Sequence, residues 1–363
     1  MKYKGLLTRL GILLPIVLFI KLYSANVERV ENGFSTGLYP RLGALLRLLF
    51  GWIPFSIGDI LYGWLFCWLL WKIYQGVRTI VLQKITWKSF RAGLVRKTLK
   101  AFTFFLLLYV IFYAVWGINY KRKGIADQLG LRIEKYSLTD LRDLNSMLVQ
   151  KVNAARGSLT LKDFNYPASR QLFYRAGVAY DSLAAVYPFL KYKHASVKTS
   201  LFGWLGNYLG FGGYYNPFTG EAQVNTSMPA FLLPYTTCHE MAHQLGYARE
   251  MEANFVGYLA AVASPDTQFH YSVYLDLFIY SNRNLFRTDS LAAREFVRQL
   301  IPGVKDDIKE WREFSMRHRN PVEPVFKWIY GKYLENNEQP QGMLSYDEVT
   351  GFLIAYFKKF GKI

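Results

Sequence analysis

The sequence has 363 residues, of which 52% are apolar and only 19% charged, and its net charge is +18. This composition excludes a disordered chain, which needs low hydrophobicity. Two cysteines are too few for a disulfide framework or for a zinc site built from cysteine pairs.

Three apolar segments in the first third of the chain predict transmembrane helices, at about 5–21, 53–72 and 101–119. Each approaches the ~20 residues that a helix needs to cross a bilayer. The first resembles a signal peptide in length, but no good cleavage site follows Lys21, so we interpret it as an anchor. Apolar residues from Leu42 to Phe50 are interrupted by Arg47 and are too few to cross, which predicts a helix along the membrane surface.

The charge distribution predicts the orientation of these helices. The loop at 72–100 has eight basic residues and no acidic one, whereas the loop at 21–52 has four basic and two acidic residues. Basic loops stay in the cytoplasm, so 1–119 forms a membrane domain and 120–363 an extracytoplasmic domain. Because the densest basic run lies between two predicted membrane helices, the expected partner is the lipid bilayer, and no nucleic acid is expected.

The predicted extracytoplasmic domain is α-rich, with a small β component. Apolar residues at helical spacing predict helices from Ser137 to before Gly157 and over about 169–185. The segment 196–225 is rich in Gly, Tyr and Asn, which is typical of short strands and turns. Beyond Pro234 the chain is again helical. The predicted fold class is therefore a mainly α membrane protein with a helical (α+β) domain after three membrane helices.

One short segment carries a catalytic signature. Residues 239–243 form an H-E-x-x-H motif. Residues four apart on a helix share a face, so the imidazoles of His239 and His243 can bind one zinc ion. Glu240, beside the first imidazole, can take a proton from zinc-bound water as general base. Pro234 suits a first turn and Gly246 the residue past a helix end, which predicts a helix over about 234–246.

A catalytic zinc needs a third protein ligand and one open position. Glu250 follows the predicted turn at Gly246, and a chain that folds back there can return its carboxylate to the metal. Glu252, on another face of the same predicted helix, is the competing third ligand, and His270 is a further alternative. The donor to a developing oxyanion stays open among several tyrosines, namely Tyr247, Tyr258, Tyr271 and Tyr274.

The run from Tyr214 to Ala260 resembles a family of bacterial membrane proteins, domain of unknown function 3810. The similar stretches are NPFTGEAQVN (216–225), TTCHEMAHQLGYARE (236–250), EANFVGYLA (252–260) and the terminal SYDEVTGFLIAYF (345–357). The resemblance implies N-terminal membrane helices and a zincin-like metallopeptidase domain with a glutamate ligand. In broader zincin families a Glu-x-x-Ala-Asn/Asp helix supplies that ligand. Residues 250–254 fit this pattern, which favours Glu250, although the gap after His243 is shorter than in many such enzymes.

The resulting hypothesis is a membrane-anchored zinc metallopeptidase that hydrolyses peptide bonds of exported or envelope substrates. Zn²⁺ would be its cofactor, and a peptide or protein its substrate. The expected location is the bacterial inner membrane, with several crossings and the C-terminal domain on the periplasmic side. The alternative hypothesis is a membrane-anchored scaffold or assembly factor with a structural or vestigial zinc, which shares every feature except turnover.

Overall fold

The computed structural model describes residues 4–82, 87–159, 169–337, 339, 342 and 348–363. Helices account for most of the first third of the chain. They are, in order, α1 (Lys4–Ser24), α2 (Val27–Arg29), a π-helical segment (Val30–Leu38), α3 (Tyr39–Phe50), α4 (Ile57–Leu82) and α5 (Trp87–Val115). A short 3₁₀ segment, Gly117–Lys121, follows α5.

Within the described residues, two helical segments are long and apolar enough to cross a membrane, Lys4–Ser24 and Gly93–Val115. They correspond to the first and third predicted spans. The second predicted span lies in α4 and is not one of these two. The predicted basic loop at 72–100 is largely helical, because α4 continues to Leu82 and α5 begins at Trp87; residues 83–86 lie outside the described residues. Lysine and arginine are good helix formers, so both helices extend past their apolar segments.

The remaining chain builds a helical domain around a small sheet. Its helices are α6 (Ile125–Gln128), α7 (Leu138–Ser158), α8 (Ser169–Val186), α9 (Gly203–Leu209), α10 (Leu233–Gln244), α11 (Glu250–Ala263), α12 (Thr267–Thr288), α13 (Ser290–Arg298), α14 (Pro302–Arg317), α15 (Val322–Asn336) and α16 (Val349–Phe360). The predicted start of α7 is confirmed, since the Ser137 hydroxyl accepts from the Asp140 N–H and the Asp140 carboxylate accepts from the Ser137 N–H. The first three residues of the similar stretch at 345–357 lie outside the described residues.

The strands are β1 (Val197–Thr199), β2 (Gly213–Asn216) and β3 (Glu221–Val224), in the order β1-β3-β2. β1 runs parallel to β3, and β2 pairs antiparallel with β3, with Gly213 opposite Val224 and Asn216 opposite Glu221. The prediction of strands and turns over 196–225 missed α9, which lies between β1 and β2. Seven residues followed by a glycine-rich turn show too little periodicity to reveal a helix.

Helices α10 and α11 pack against each other at the centre of the domain, between α8, α12, α16 and the strands β2 and β3. A glycine makes the close approach possible: a Cβ at Gly257 of α11 would lie 3.0 Å from the backbone nitrogen of His239 on α10. Most side chains of both helices are buried. The motif helix is therefore held on several sides by a packed core, which fixes its side chains in place.

The N-terminal segments pack on the end of α10. The Tyr39 hydroxyl and the Arg47 guanidinium both donate to the Gln244 carbonyl, at 3.0 and 2.9 Å. The Trp116 indole donates to the His243 carbonyl, and Arg122 donates to the Gly246 carbonyl. The last carbonyls of a helix have no partner within it. Side chains from α3 and from the end of α5 thus supply the hydrogen-bond donors for the last carbonyls of the motif helix.

We expect Arg47→Met to lower the free energy of unfolding by about 3 kcal/mol, because it removes buried charge-assisted hydrogen bonds to the Lys193 and Gln244 carbonyls. Methionine keeps most of the apolar stem. Arg41→Met, at an exposed position on the same helix, is the matched control and should change nothing measurable. Denaturant or thermal unfolding in detergent compares the two, and equal stability of both variants would contradict the role given to Arg47.

Candidate metal centre

The two motif histidines lie one turn apart on α10, and both are buried. Their Nε2 atoms are 3.1 Å apart. The Nδ1 atom of His243 lies 2.7 Å from the Tyr247 carbonyl oxygen. Since a carbonyl only accepts, this Nδ1 carries a proton, and Nε2 is the ring nitrogen that faces the centre.

The turn after α10 returns Glu250 to the same centre. Gly246 adopts φ +88°, a conformation that favours glycine, and it reverses the chain between α10 and α11. Glu250 is the first residue of α11. Its Oε2 atom lies 3.3 Å from Nε2 of His239 and 3.5 Å from Nε2 of His243. Although burial opposes it, the two imidazoles hold the pKa of Glu250 below its usual range, so this side chain is a carboxylate.

The donor set fits a zinc ion. Three ligand atoms held tetrahedrally at about 2.0–2.1 Å from one zinc ion lie about 3.3 Å from each other. The two Nε2 atoms and Oε2 of Glu250 form a triangle with sides of 3.1, 3.3 and 3.5 Å. His239, Glu240 and His243 also form a buried group whose ligand atoms lie within 4.8 Å of one another. The triangle with Glu250 is tighter than this group, so Glu250 is the better placed of the two glutamates to act as a third donor beside the imidazoles.

Glu240 lies beside the triangle, between α10 and β2. A Cβ at Gly213 would lie 2.6 Å from Oε1 of Glu240, so only glycine fits at the start of β2. Oε2 of Glu240 is buried and accepts no hydrogen bond from the described part of the chain. Burial raises the pKa of this carboxyl to about 7, although the two imidazoles oppose the rise. An acid–base group with one unengaged oxygen thus faces the site.

The competing ligands lie elsewhere. Glu252 is buried and forms an ion pair with Arg249, at 2.9 Å, on the side of α11 that faces Gly124. Nε2 of His270 lies 2.8 Å from the Ser264 carbonyl oxygen, at the start of α12. The structure brings together His239, Glu240, His243 and Glu250, and it directs Glu252 and His270 away from them.

A tyrosine that was not considered from the sequence contacts the triangle. The Tyr330 hydroxyl on α15 donates to Oε1 of Glu250 at 2.8 Å, and the hydroxyls of Tyr333 and Tyr120 pair beside it at 3.0 Å. Tyr247 donates to Gln128, and the other three candidates are buried in the core. No local pattern marks Tyr330, because 80 residues separate it from its partner in the chain.

We expect Tyr330→Phe to weaken zinc binding by about 10- to 100-fold, because hydrogen bonds to metal ligands typically contribute that much to affinity. The variant loses one hydroxyl and leaves the aromatic ring in place. Competition for zinc with a chromophoric chelator measures the change. Tyr174→Phe, at an exposed ring on α8, is the control, and equal zinc affinities of both variants would exclude a role for the Tyr330 hydroxyl in holding Glu250.

Comparison with known proteins gives one match. A family model described as "Protein of unknown function (DUF3810)" matches residues 34–354, which confirms the resemblance noted from the motif region. No curated protein and no solved structure matches the chain.

Proposed function

The chain belongs to the DUF3810 family, and from its buried centre we propose that it is a membrane-anchored zinc metallopeptidase with a zincin-like catalytic domain. The observation that carries this proposal is the triangle of two Nε2 atoms and one carboxylate oxygen, with sides of 3.1–3.5 Å and a free glutamate at its edge. His239, His243 and Glu250 would hold the metal. Two histidines and a glutamate are one of the ligand sets of catalytic zinc.

The chain's own residues supply the proton transfers of hydrolysis. Zinc, when bound, supplies a Lewis acid that acidifies water and polarises a carbonyl. Glu240 takes the proton from the attacking water and gives it to the departing amine. Its raised pKa suits both steps, because a carboxyl near neutrality is able to accept and to release a proton. Tyr330 keeps the Glu250 carboxylate oriented through the hydrogen bond to Oε1.

The substrate would lie along β2. Within the described sheet this strand is at the edge, and its first residue, Gly213, contacts the Glu240 carboxyl. An extended peptide can add to such an edge through main-chain hydrogen bonds. Because the peptide would be held by its main chain, a peptide bond would lie next to the general base whatever side chains the peptide carries. We therefore infer a peptide or protein substrate.

Three helices would anchor the protein, α1, α4 and α5. α4 joins the two apolar spans because it exposes large apolar side chains along much of its length, among them Trp64, Phe66, Leu70, Trp71 and Ile73. Such surface on a long helix requires lipid or a partner. With the basic segments 1–9 and 72–100 in the cytoplasm, the metal centre would lie on the periplasmic side of a bacterial inner membrane.

One observation favours the second candidate, a scaffold with a structural or vestigial metal site. The four side chains of the centre are all buried, and structural zinc sites are closed, whereas catalytic ones keep an open position. Against it stands Glu240, since a structural site needs no base beside the metal.

Turnover decides between the two. The full-length protein, purified in detergent, is analysed for metals and incubated with a mixed peptide library, with and without a zinc chelator. The peptidase proposal expects stoichiometric zinc and cleavage that stops with the chelator and returns with added zinc. Zinc without cleavage of peptides or of exported proteins would support the scaffold, and protein purified without zinc that binds none when it is added would refute both.

A further inference from the structure

Part of the catalytic domain exposes a large apolar surface. On α9 and α15, which lie side by side, bulky side chains point to the outside: Trp204, Leu205, Tyr208, Val325, Trp328 and Ile329. These six residues are called the apolar shelf here. Trp328 is 66% exposed. The Asn320 amide, just before α15, donates to the Tyr208 carbonyl of α9, and the Phe211 ring, just after α9, packs on the Phe326 ring of α15. Contiguous apolar surface of this kind marks an interaction site.

The shelf lies at the level where the membrane helices meet the domain. The Leu201 N–H, just before α9, donates to the Asp59 carboxylate in the first turn of α4 at 2.7 Å. The Phe202 ring lies beside Gly63, one turn further along α4. At the other end, Asn337 after α15 accepts from the Tyr113 hydroxyl, near the end of the apolar span Gly93–Val115. Both helices are therefore fixed at the extracytoplasmic ends of α4 and α5.

The two helices have the character of interfacial helices. With 7 and 15 residues, α9 and α15 are too short to cross a bilayer. α15 has two faces, since Gly331 and Leu334 are buried in the domain while Trp328 and Ile329 are exposed. Lys332 lies on the exposed side near the end of α15, where its long stem can follow the apolar surface while its ammonium group pairs with Glu335 at 2.6 Å. Tryptophan and tyrosine are also enriched at the membrane interface.

We propose that the apolar shelf inserts into the leaflet nearest the metal centre, so that the catalytic domain rests on the bilayer through α9 and α15 in addition to its membrane anchors. A lipid surface is the occupant because the shelf continues the apolar surface of α4 and α5 at the same level. Trp52 and Phe55, exposed directly before α4, add apolar side chains at the same end of that helix.

This contact has a consequence for the substrate, which rests on the proposed peptidase function. The face of α15 opposite the shelf carries Tyr330, whose hydroxyl contacts Glu250. The metal centre therefore lies about one helix diameter, roughly 10–12 Å, from the lipid. The substrates that reach β2 most readily are peptide segments at the bilayer surface, such as the juxtamembrane part of an anchored protein.

Depth-dependent fluorescence quenching tests the contact. Single cysteines at Trp204, Trp328 and Ile329 are introduced in a Cys67→Ser background, where Cys238 is buried, and labelled with an environment-sensitive dye. Leu291→Cys on α13 and Tyr174→Cys on α8 are controls, since both residues are apolar and well exposed. The full-length protein is reconstituted in phosphatidylcholine–phosphatidylglycerol vesicles with or without lipids spin-labelled on their acyl chains.

The expected result is blue-shifted emission and quenching several times stronger at the three shelf positions than at the two controls. Equal quenching at all five positions would overturn the proposal. So would blue-shifted emission that spin-labelled lipid leaves unquenched, together with crosslinks between shelf cysteines of two copies, because a second chain would then cover the shelf. Quenching requires neither turnover nor zinc, so a failure here is distinguishable from a failure of the peptidase proposal, and a single symmetric peak in gel filtration reports that each variant is folded.

Discussion

Glu240→Gln is expected to lower peptide hydrolysis by about 10²- to 10⁴-fold, the usual contribution of a positioned acid–base group. Glutamine has nearly the same shape as glutamate but cannot accept a proton from water at neutral pH. The carboxyl it replaces is buried beside the metal ligands and has an oxygen free of hydrogen bonds from the described chain. The rate of cleavage of a library peptide, measured by mass spectrometry, provides the comparison.

Zinc content separates this loss of chemistry from a loss of the site. The Glu240→Gln variant should retain stoichiometric zinc by elemental analysis, because Glu240 is not one of the three assigned ligands. Glu310→Gln, at an exposed position on α14, is the matched control and should cleave as fast as the wild type. A Glu240→Gln protein that cleaves at the wild-type rate would show that another group serves as base.

Glu250→Ala should abolish stoichiometric zinc binding, whereas Glu252→Ala should retain it. The first variant removes one of three ligands and the negative charge that faces the two imidazoles. The second removes the partner of Arg249 and leaves the triangle intact. Elemental analysis after gel filtration measures bound zinc, and His243→Ala is the positive control for its loss. Zinc lost from Glu252→Ala but kept by Glu250→Ala would reverse the assignment.

Thermal stability gives a second measure of the same substitution. A zinc ion at 100 times its dissociation constant stabilises the folded state by about 2.7 kcal/mol. Chelation should therefore lower the unfolding temperature of the wild type and of Glu252→Ala, relative to each protein's own starting value. Chelation should leave the unfolding temperatures of the Glu250→Ala and His243→Ala variants unchanged. A wild-type protein insensitive to both chelator and added zinc would contradict metal binding at this centre.

Interactions between near neighbours in the chain were predictable. The H-E-x-x-H spacing puts two imidazoles on one helix face, and α10 spans Leu233–Gln244, close to the predicted 234–246. Gly246 has the positive φ expected past a helix end, so the return of the chain to the centre was also foreseen. Two of the three predicted spans correspond to helical segments long and apolar enough to cross a membrane, Lys4–Ser24 and Gly93–Val115, since the length of a span depends only on consecutive residues.

The choice between Glu250 and Glu252 required the tertiary structure. Both carboxylates belong to the first turn of α11, and helical spacing alone assigns them to different faces without saying which face meets the metal. The packing of α11 on α10 through Gly257 sets that orientation. The Glu252 carboxylate, on the other face of α11, forms its ion pair with Arg249.

The sequence by itself determined that His239, Glu240 and His243 lie within one turn of a helix, and it determined where the apolar helices lie, because each feature depends on residues within a few turns of one another. Only the tertiary structure decided that the Tyr330 hydroxyl donates to Glu250 and that Tyr39 and Arg47 donate to the last carbonyl of α10. It also decided that α9 and α15 lie side by side and share an apolar surface. These contacts join residues that lie about 80 to 200 positions apart, and no local periodicity reports such pairs. Their positions follow from how the helices pack, which depends on the shape of the whole core.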